Sequence, residues 1–246
     1  SKDAQKKWGS ITVNNRKEMI LKVQKKLEEK KEQLAAALTE EMGKPLKEAQ
    51  AEVNAVVSGM GKLLEEMEEA FSDQVKSSGG IESTIQYRPL GVSAVISPWN
   101  FPLAMPNSMV LPSLMAGNSV ILKPSEETPL IAQIYADVFN EILPQGVFQI
   151  IHGKGEVGAE LVKSDIKLIV FTGSVGTGKI IMKEAAGGLK RVILELGGKD
   201  PLLVLKGSDL GQAATMAVFN SLRNAGQVCV STCLLYTSDA ADEEDS

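Results

Sequence analysis

From Gly91 onward, short apolar runs alternate with stretches of helical periodicity, and no other feature of the chain restricts its fold as tightly. GVSAVIS, NSVILK, VFQIIHG, KLIVFTG and RVILEL are near-continuous β-rich runs. MPNSMVLPSLMAG, PLIAQIYADVFNEIL, EVGAELVKS and GKIIMKEAAGG lie between them. A strand that is apolar on both faces has to be covered on both, so this order predicts a parallel sheet flanked by helices, a Rossmann-like α/β fold. Such sheets bind ligands at the carboxyl ends of their strands. SPWNFP, KPSEETP, HGKGEVG, FTGS and ELGGK occupy those ends.

The segment before Gly91 reads differently. Ile20, Val23, Leu27, Leu34 and Leu38 recur at helical spacing among Lys and Glu, which predicts a helix that Gly43 stops. Pro45 suits the first turn of a second helix, striped by Leu46, Ala49, Val53, Val57, Met60, Leu64 and Met67. SDQVKSSGG is a loop by composition, and IESTIQYRPL alternates like an exposed strand.

Composition excludes several function classes. A net charge of −5 leaves no basic footprint for nucleic acid. No apolar stretch reaches the length of a membrane span. Two cysteines are too few for a disulfide framework and point to a reducing compartment, the cytoplasm. The single histidine, His152, leaves any triad or His-rich metal site only one residue to build on, and no metal site is expected.

FTGSVGTGKI poses the sharpest chemical choice. Gly173, Gly178 and Lys179 fit a phosphate-cradling P-loop, but the next place needs a hydroxyl for Mg²⁺ and holds Ile180. A strand, a glycine turn and a helix N-terminus still make an anion site. Phosphate binding survives this test, while phosphoryl transfer is left without its Mg²⁺ ligand.

Taken in order, SPWNFP, KPSEETP, HGKGEVG, FTGS, ELGGK and NAGQVCVST resemble the NAD(P)-dependent aldehyde dehydrogenase superfamily, from about Trp8 to Thr232. The resemblance implies that Cys229 is the nucleophile that attacks an aldehyde carbonyl, a thiolate being the reactive form. On its residues alone, Cys229 reads first as a buried, inert thiol. Glu195 matches the general base that activates water against the thioester. A carboxylate at the end of an apolar strand is expected to be partly desolvated, which raises its pKa. Asn100 matches the oxyanion donor, though Asn before Phe-Pro is also a common turn residue.

For the cofactor, Lys123 and Glu126 match ribose contacts, and Glu126 favours NAD over NADP because a carboxylate repels a 2′-phosphate. Ile96, Ser97, Trp99, Phe171, Leu196 and Gly197 are implied as further cofactor contacts. So are Gly155 in the GxGxxG-like run Gly153–Gly158, and Ser174 and Thr177 at the helix that would face the diphosphate. Met109 departs from the many members that carry lysine there. A small aldehyde substrate and a parent homodimer or homotetramer follow from the resemblance.

The expected organisation is N-terminal helices over 1–71, a linker and oligomerisation-arm strand over 72–90, and a cofactor domain over 91–199. The start of a catalytic domain over 200–232 and a non-native tail over 233–246 complete it. CLLYTSDAADE reads like translated sequencing adapter, and its acidic end, Asp239 to Asp245, favours disorder. The fold is therefore expected to be an aldehyde dehydrogenase fold incomplete at both ends, and the 246-residue chain by itself to turn over no aldehyde. Three alternatives remain: a CoA-acylating relative, a P-loop phosphotransferase and a non-catalytic nucleotide-binding module.

Overall fold

A computed structural model of the chain describes residues 2–238. The chain divides into two compact units, Ser1–Glu195 and Leu196–Ser246.

The first unit opens with α1 (Lys2–Gly9), α2 (Val13–Glu29), α3 (Lys31–Met42) and α4 (Leu46–Ala70). Thr12 caps α2 by accepting from the Asn15 N–H. The helix expected across Ile20–Leu38 is in fact two, broken at Lys30, whose N–H turns back to Leu27 and Glu28. Leu27 and Leu34 are about two helical turns apart, so the apolar stripe keeps its phase and hides the break. Gly43 stops α3 in the left-handed region, φ 81°, where its N–H bonds the Thr39 carbonyl. Along α4 the predicted stripe is buried except for Leu46, which stands exposed in the first turn.

The stretch expected as a loop after α4 contains β1 (Gln74–Ser78), which pairs antiparallel with β2 (Ile81–Ile85). Gly79 and Gly80, with φ of 59° and 77°, supply the tight hairpin turn between them. Composition marks the turn but not the strand leading into it, because QVKSS carries no apolar face. Both strands are exposed throughout.

The main sheet holds β3 (Val92–Ile96), β4 (Ser119–Lys123), β5 (Phe148–Ile150), β6 (Leu168–Gly173) and β7 (Arg191–Leu196) in the order β5-β4-β3-β6-β7. The pairs of β3 with β4 and β6, and of β4 with β5, are parallel, with Ala94 opposite both Ile121 and Ile169. The connecting helices are α5 (Ala104–Met115), α6 (Pro129–Ile142), α7 (Gly155–Lys163) and α8 (Val175–Gly187). Phe148 of β5 meets Tyr135 of α6 edge-on and Phe139 of α6 at a tilt, and the buried Tyr135 hydroxyl donates to Asn107 on α5. Each such ring contributes about 1.5–3 kcal/mol by leaving water. RVILEL, expected as a strand buried on both faces, is instead the edge strand β7, where exposed and half-buried residues alternate.

The N-terminal helices grip both ends of α5. The Glu52 carboxylate of α4 accepts from the Leu103 and Ala104 N–H groups at its start. At its end, Trp8 donates to the Leu114 carbonyl and Arg16 to that of Met115. A negative charge at the N-terminus and a positive one at the C-terminus both suit the helix dipole.

The second unit is a single βαβ: β8 (Asp200–Val204), α9 (Leu210–Leu222), a 3₁₀ turn over Arg223–Gly226 and β9 (Thr232–Thr237), with β8 and β9 parallel. Cys233–Thr237, expected to lie outside the fold, therefore complete a strand. A ladder is made by backbone groups, so this segment pairs with β8 while its side chains stay exposed. The acidic residues Asp239 to Asp245 fall outside the described residues. Among those described, no helix is long and apolar enough to cross a membrane.

Candidate cofactor and catalytic site

The strand order reverses between β3 and β6, since successive connections run from β3 to β4 and β5 on one side and from β6 to β7 on the other. Open α/β sheets present a crevice at such a point. Here it holds a cavity of about 570 Å³, lined entirely from the first unit. Ile96, Ser97 and Trp99 come from the end of β3, Lys123 and Glu126 from the end of β4, and Gly155 from the start of α7. Phe171 of β6, with Ser174 and Thr177 at the start of α8, completes the predicted set within it. Leu196 and Gly197 begin the second unit and are not part of this wall.

Sequence reasoning missed the far side of the cavity, where Ala159 and Val162 of α7 face Ile180, Ile181 and Glu184 of α8. The signal was present as i, i+3 and i, i+4 spacing on two short helices. It reads as ordinary core packing until the sheet order is known. The walls are largely apolar, with polar groups confined to a few places, as in pockets that hold planar rings.

Lys123 is buried, and its Nζ donates to the Pro124 carbonyl and, at 3.2 Å, to Glu126 Oε2. The Glu126 carboxyl is held below the usual carboxylate range, first by a backbone N–H of its own residue, against the opposing effect of burial, and then by Lys123 and Lys154. A persistent negative charge thus stands at the cavity mouth. Ser174 caps α8, its Oγ accepting from the Thr177 N–H at 3.2 Å, so the positive end of a 13-residue helix opens on the cavity. The Ser97 Oγ is buried with no hydrogen-bond partner among the described residues. An unmet polar atom in an apolar wall is a place for a ligand group to bond.

The candidate catalytic residues occupy three different settings. Asn100 lies in the loop after β3, beside Trp99, and its carbonyl accepts from Lys44 Nζ at 3.1 Å. Glu195 is exposed at the end of β7, which corrects the expected desolvation: an edge strand leaves its carboxylate in water. Cys229 is exposed in the turn between the 3₁₀ segment and β9, which removes the alternative of a buried, inert thiol. That turn is held firmly. Asn224 and Ala225 adopt left-handed φ of 53° and 55°, and Asn224 is buried, exchanging hydrogen bonds with Gln227. Non-glycine residues in this region cost on the order of 1–3 kcal/mol each and persist where the surroundings enforce them.

Met109 is buried in α5, and its sulfur accepts from the Thr172 hydroxyl at 3.4 Å. His152 pairs with Gln133 at the surface. Among the described residues no group of His, Cys, Asp and Glu is placed to hold a metal ion.

The sequence profile of the aldehyde dehydrogenase family matches residues 1–244. The chain is similar to the D-glyceraldehyde dehydrogenase (NADP(+)) of Picrophilus torridus, 35% identical over 99% of this chain and 50% of that protein. It is 37% identical to the mitochondrial succinate-semialdehyde dehydrogenase of Rattus norvegicus, over 93% of this chain and 45% of the relative. Among solved structures, betaine aldehyde dehydrogenase from Staphylococcus aureus, in complex with NAD+ and with a BME-modified cysteine, superposes with a TM-score of 0.91. That likeness carries 30% identity over 99% of this chain and 51% of the other. The chain spans about half the length of the curated relatives it matches.

Proposed function

The chain belongs to the aldehyde dehydrogenase family, and from that premise we propose that its protein oxidises a small aldehyde to the carboxylic acid with a nicotinamide dinucleotide. The supporting observation is one cavity. Nine residues chosen from sequence for the cofactor, at the ends of three strands and the starts of two helices, meet there: Ile96, Ser97, Trp99, Lys123, Glu126, Gly155, Phe171, Ser174 and Thr177.

The cavity fits that group. The α8 N-terminus suits a diphosphate, and Lys123 with Glu126 suits ribose hydroxyls. The apolar walls of α7 and α8 suit a flat base, and Ser97 Oγ can bond a polar edge. Bound there, the dinucleotide supplies the hydride acceptor. Glu126 favours NAD over NADP, since its retained charge repels a 2′-phosphate. Mg²⁺-dependent phosphoryl transfer lacks its hydroxyl ligand, because Ile180 stands in that place.

In the proposed reaction Cys229 Sγ attacks the aldehyde carbonyl to form a thiohemiacetal, and the Asn100 amide donates to its oxyanion. After hydride leaves, a thioester remains on Cys229. Glu195 takes a proton from the water that cleaves it, releasing acid and the free thiolate. The first unit acts as the cofactor domain and the second as the start of the catalytic domain. The exposed hairpin β1–β2 serves as the arm through which copies associate as a homodimer or homotetramer. A reducing compartment such as the cytoplasm keeps Cys229 free.

The test uses an enzyme of the relatives' full length that carries these residues. Cys229→Ala is expected to abolish aldehyde-dependent NADH formation. Glu195→Gln is expected to give a burst of one NADH per site and then stall. Acid release by the Gln variant at the wild-type rate removes Glu195 from the base role.

A further inference from the structure

Two oppositely charged side chains of the first unit, neither lining the cavity, form a buried pair. Lys44 lies between α3 and α4, and Glu52 is two turns into α4. Their side chains are 2% and 4% exposed, and Lys44 Nζ meets Glu52 Oε2 at 2.5 Å. A buried pair of this kind is poor value as a stabiliser, because desolvation cancels much of the attraction and an apolar pair would serve as well. What it offers is direction, and both partners point at the same loop.

That loop, from Ser97 to Leu103, joins β3 to α5 without regular structure. Its first residues wall the cavity and its next is Asn100. Lys44 Nζ donates to the Asn100 carbonyl at 3.1 Å and sits 4.3 Å from the centre of the Phe101 ring, a cation–π distance. Glu52 Oε1 accepts from the N–H of Leu103 at 3.1 Å and of Ala104 at 3.0 Å. The pair therefore holds the loop at its carbonyl, at one ring and at the two amides where α5 begins. Pro45 fixes the backbone beside Lys44, and α4 packs on α5, so the holder itself is rigid.

We propose that Lys44 and Glu52 are positioning residues, a buried clamp that fixes the backbone of Asn100–Ala104 and through it the aim of the Asn100 amide. The catalytic part of this inference rests on the reading of Asn100 as oxyanion donor; the clamp itself does not. Small errors in such a donor are costly, because it must meet the oxyanion at hydrogen-bond distance. Neither residue touches the cofactor cavity, so the clamp acts on the reaction and not on dinucleotide affinity.

Amide hydrogen exchange on the 246-residue chain tests the clamp directly, with Lys44→Met, Glu52→Gln and Lys44→Arg beside the wild type. Lys44→Met and Glu52→Gln are expected to speed exchange over residues 100–105 by about tenfold or more while β4 and β6 stay protected. Lys44→Arg, which keeps the charge and a donor, should restore most of the protection. Glu52→Gln keeps the outline of the side chain and serves if Lys44→Met fails to fold. Exchange that rises evenly through the unit, or does not change at 100–105, overturns the clamp. In the full-length enzyme, kcat should fall in Lys44→Met with the KM for NAD unchanged. Adding Lys44→Met to Asn100→Ala should then cost no more than Asn100→Ala alone. Additive losses overturn the link to Asn100. A wild-type chain that binds no NADH removes the dehydrogenase reading, and the exchange pattern still decides the clamp.

Discussion

The two units solve the problem of covering a β-sheet to very different extents. In the first, helices cover a five-stranded sheet, and Trp8, Leu64, Leu111, Tyr135, Phe139 and Phe148 are removed from water. In the second, α9 lies beside only two strands and buries no side chain, leaving Met216, Val218, Phe219 and Leu222 exposed. A βαβ unit holds its backbone through a ladder but gains little from apolar burial. The cavity assigned to the cofactor thus stands on a self-supporting core. The thiol assigned to catalysis stands on a turn that hydrogen bonds and backbone strain define, not packing.

This contrast can be broken first through chemistry. If the second unit supplies the nucleophile, Cys229→Ala abolishes turnover in the full-length enzyme, whereas Asn100→Ala in the first unit slows it on the order of a hundredfold to a thousandfold. The 246-residue chain alone should form no aldehyde-dependent NADH, although it holds all three catalytic candidates. Steady NADH formation by the purified chain, lost in Cys229→Ala, would show that this βαβ suffices to hold the nucleophile.

Stability gives the next test. Phe139→Ala empties a site enclosed by Tyr135 and Phe148 and should cost about 3–5 kcal/mol in denaturant unfolding. Phe219→Ala on exposed α9 should change stability by no more than about 0.5 kcal/mol. Comparable losses at the two positions would mean that α9 is covered in solution, and would erase the contrast.

Much of the first unit was legible in sequence because its signals are local and periodic. The strands β3, β4 and β6 are apolar on both faces, and the residues at their ends carry the motifs. The break at Lys30 was hidden by a stripe that keeps phase across it. The edge position of β7 was hidden because RVILEL reads like its buried neighbours, and only pairing decides which strand is last. The strand β9 was missed for a related reason: CLLYT has no alternation to show, and its partner β8 lies about thirty residues upstream. The α7–α8 wall of the cavity depends on strand order, which no short window contains. The Lys44–Glu52 clamp joins residues far from the loop they hold, so composition could read them only as part of a charged helical surface.

A smaller effect concerns cofactor choice within the first unit. Because the Glu126 carboxyl lies below its usual range, it stays charged well into mild acid, and preference for NAD over NADP should be constant from neutral pH to about pH 5. Glu126→Ser should shift that preference towards NADP. An unchanged ratio of the two dissociation constants counts against the assignment.

The smallest effect is electrostatic and lies at the surface. Asp165 pairs with Lys167 and with Lys2 of α1, and these partners, Lys167 first, lower its carboxyl to about 2 from an ordinary 3.8. A carboxyl depressed in the folded state stabilises fully above its unfolded pKa and loses that contribution as pH falls through the folded one. The window is therefore about pH 4 down to pH 2. Wild type should lose more stability across it than Asp165→Asn, and the difference should shrink in high salt, because all three groups are exposed. Parallel acid-unfolding curves for the two proteins would mean that the pairing contributes nothing.

The central claim is that the crevice of the first unit holds a nicotinamide dinucleotide, and calorimetric titration of the 246-residue chain tests it most directly. NAD+ should bind at one site per chain, with affinity weakened at least about tenfold by Lys123→Met, while Mg·ATP should be bound without hydrolysis or not at all. No heat from NAD+ or NADP+, or hydrolysis of Mg·ATP that Lys179→Met abolishes, would contradict the account and return FTGSVGTGKI to the P-loop reading.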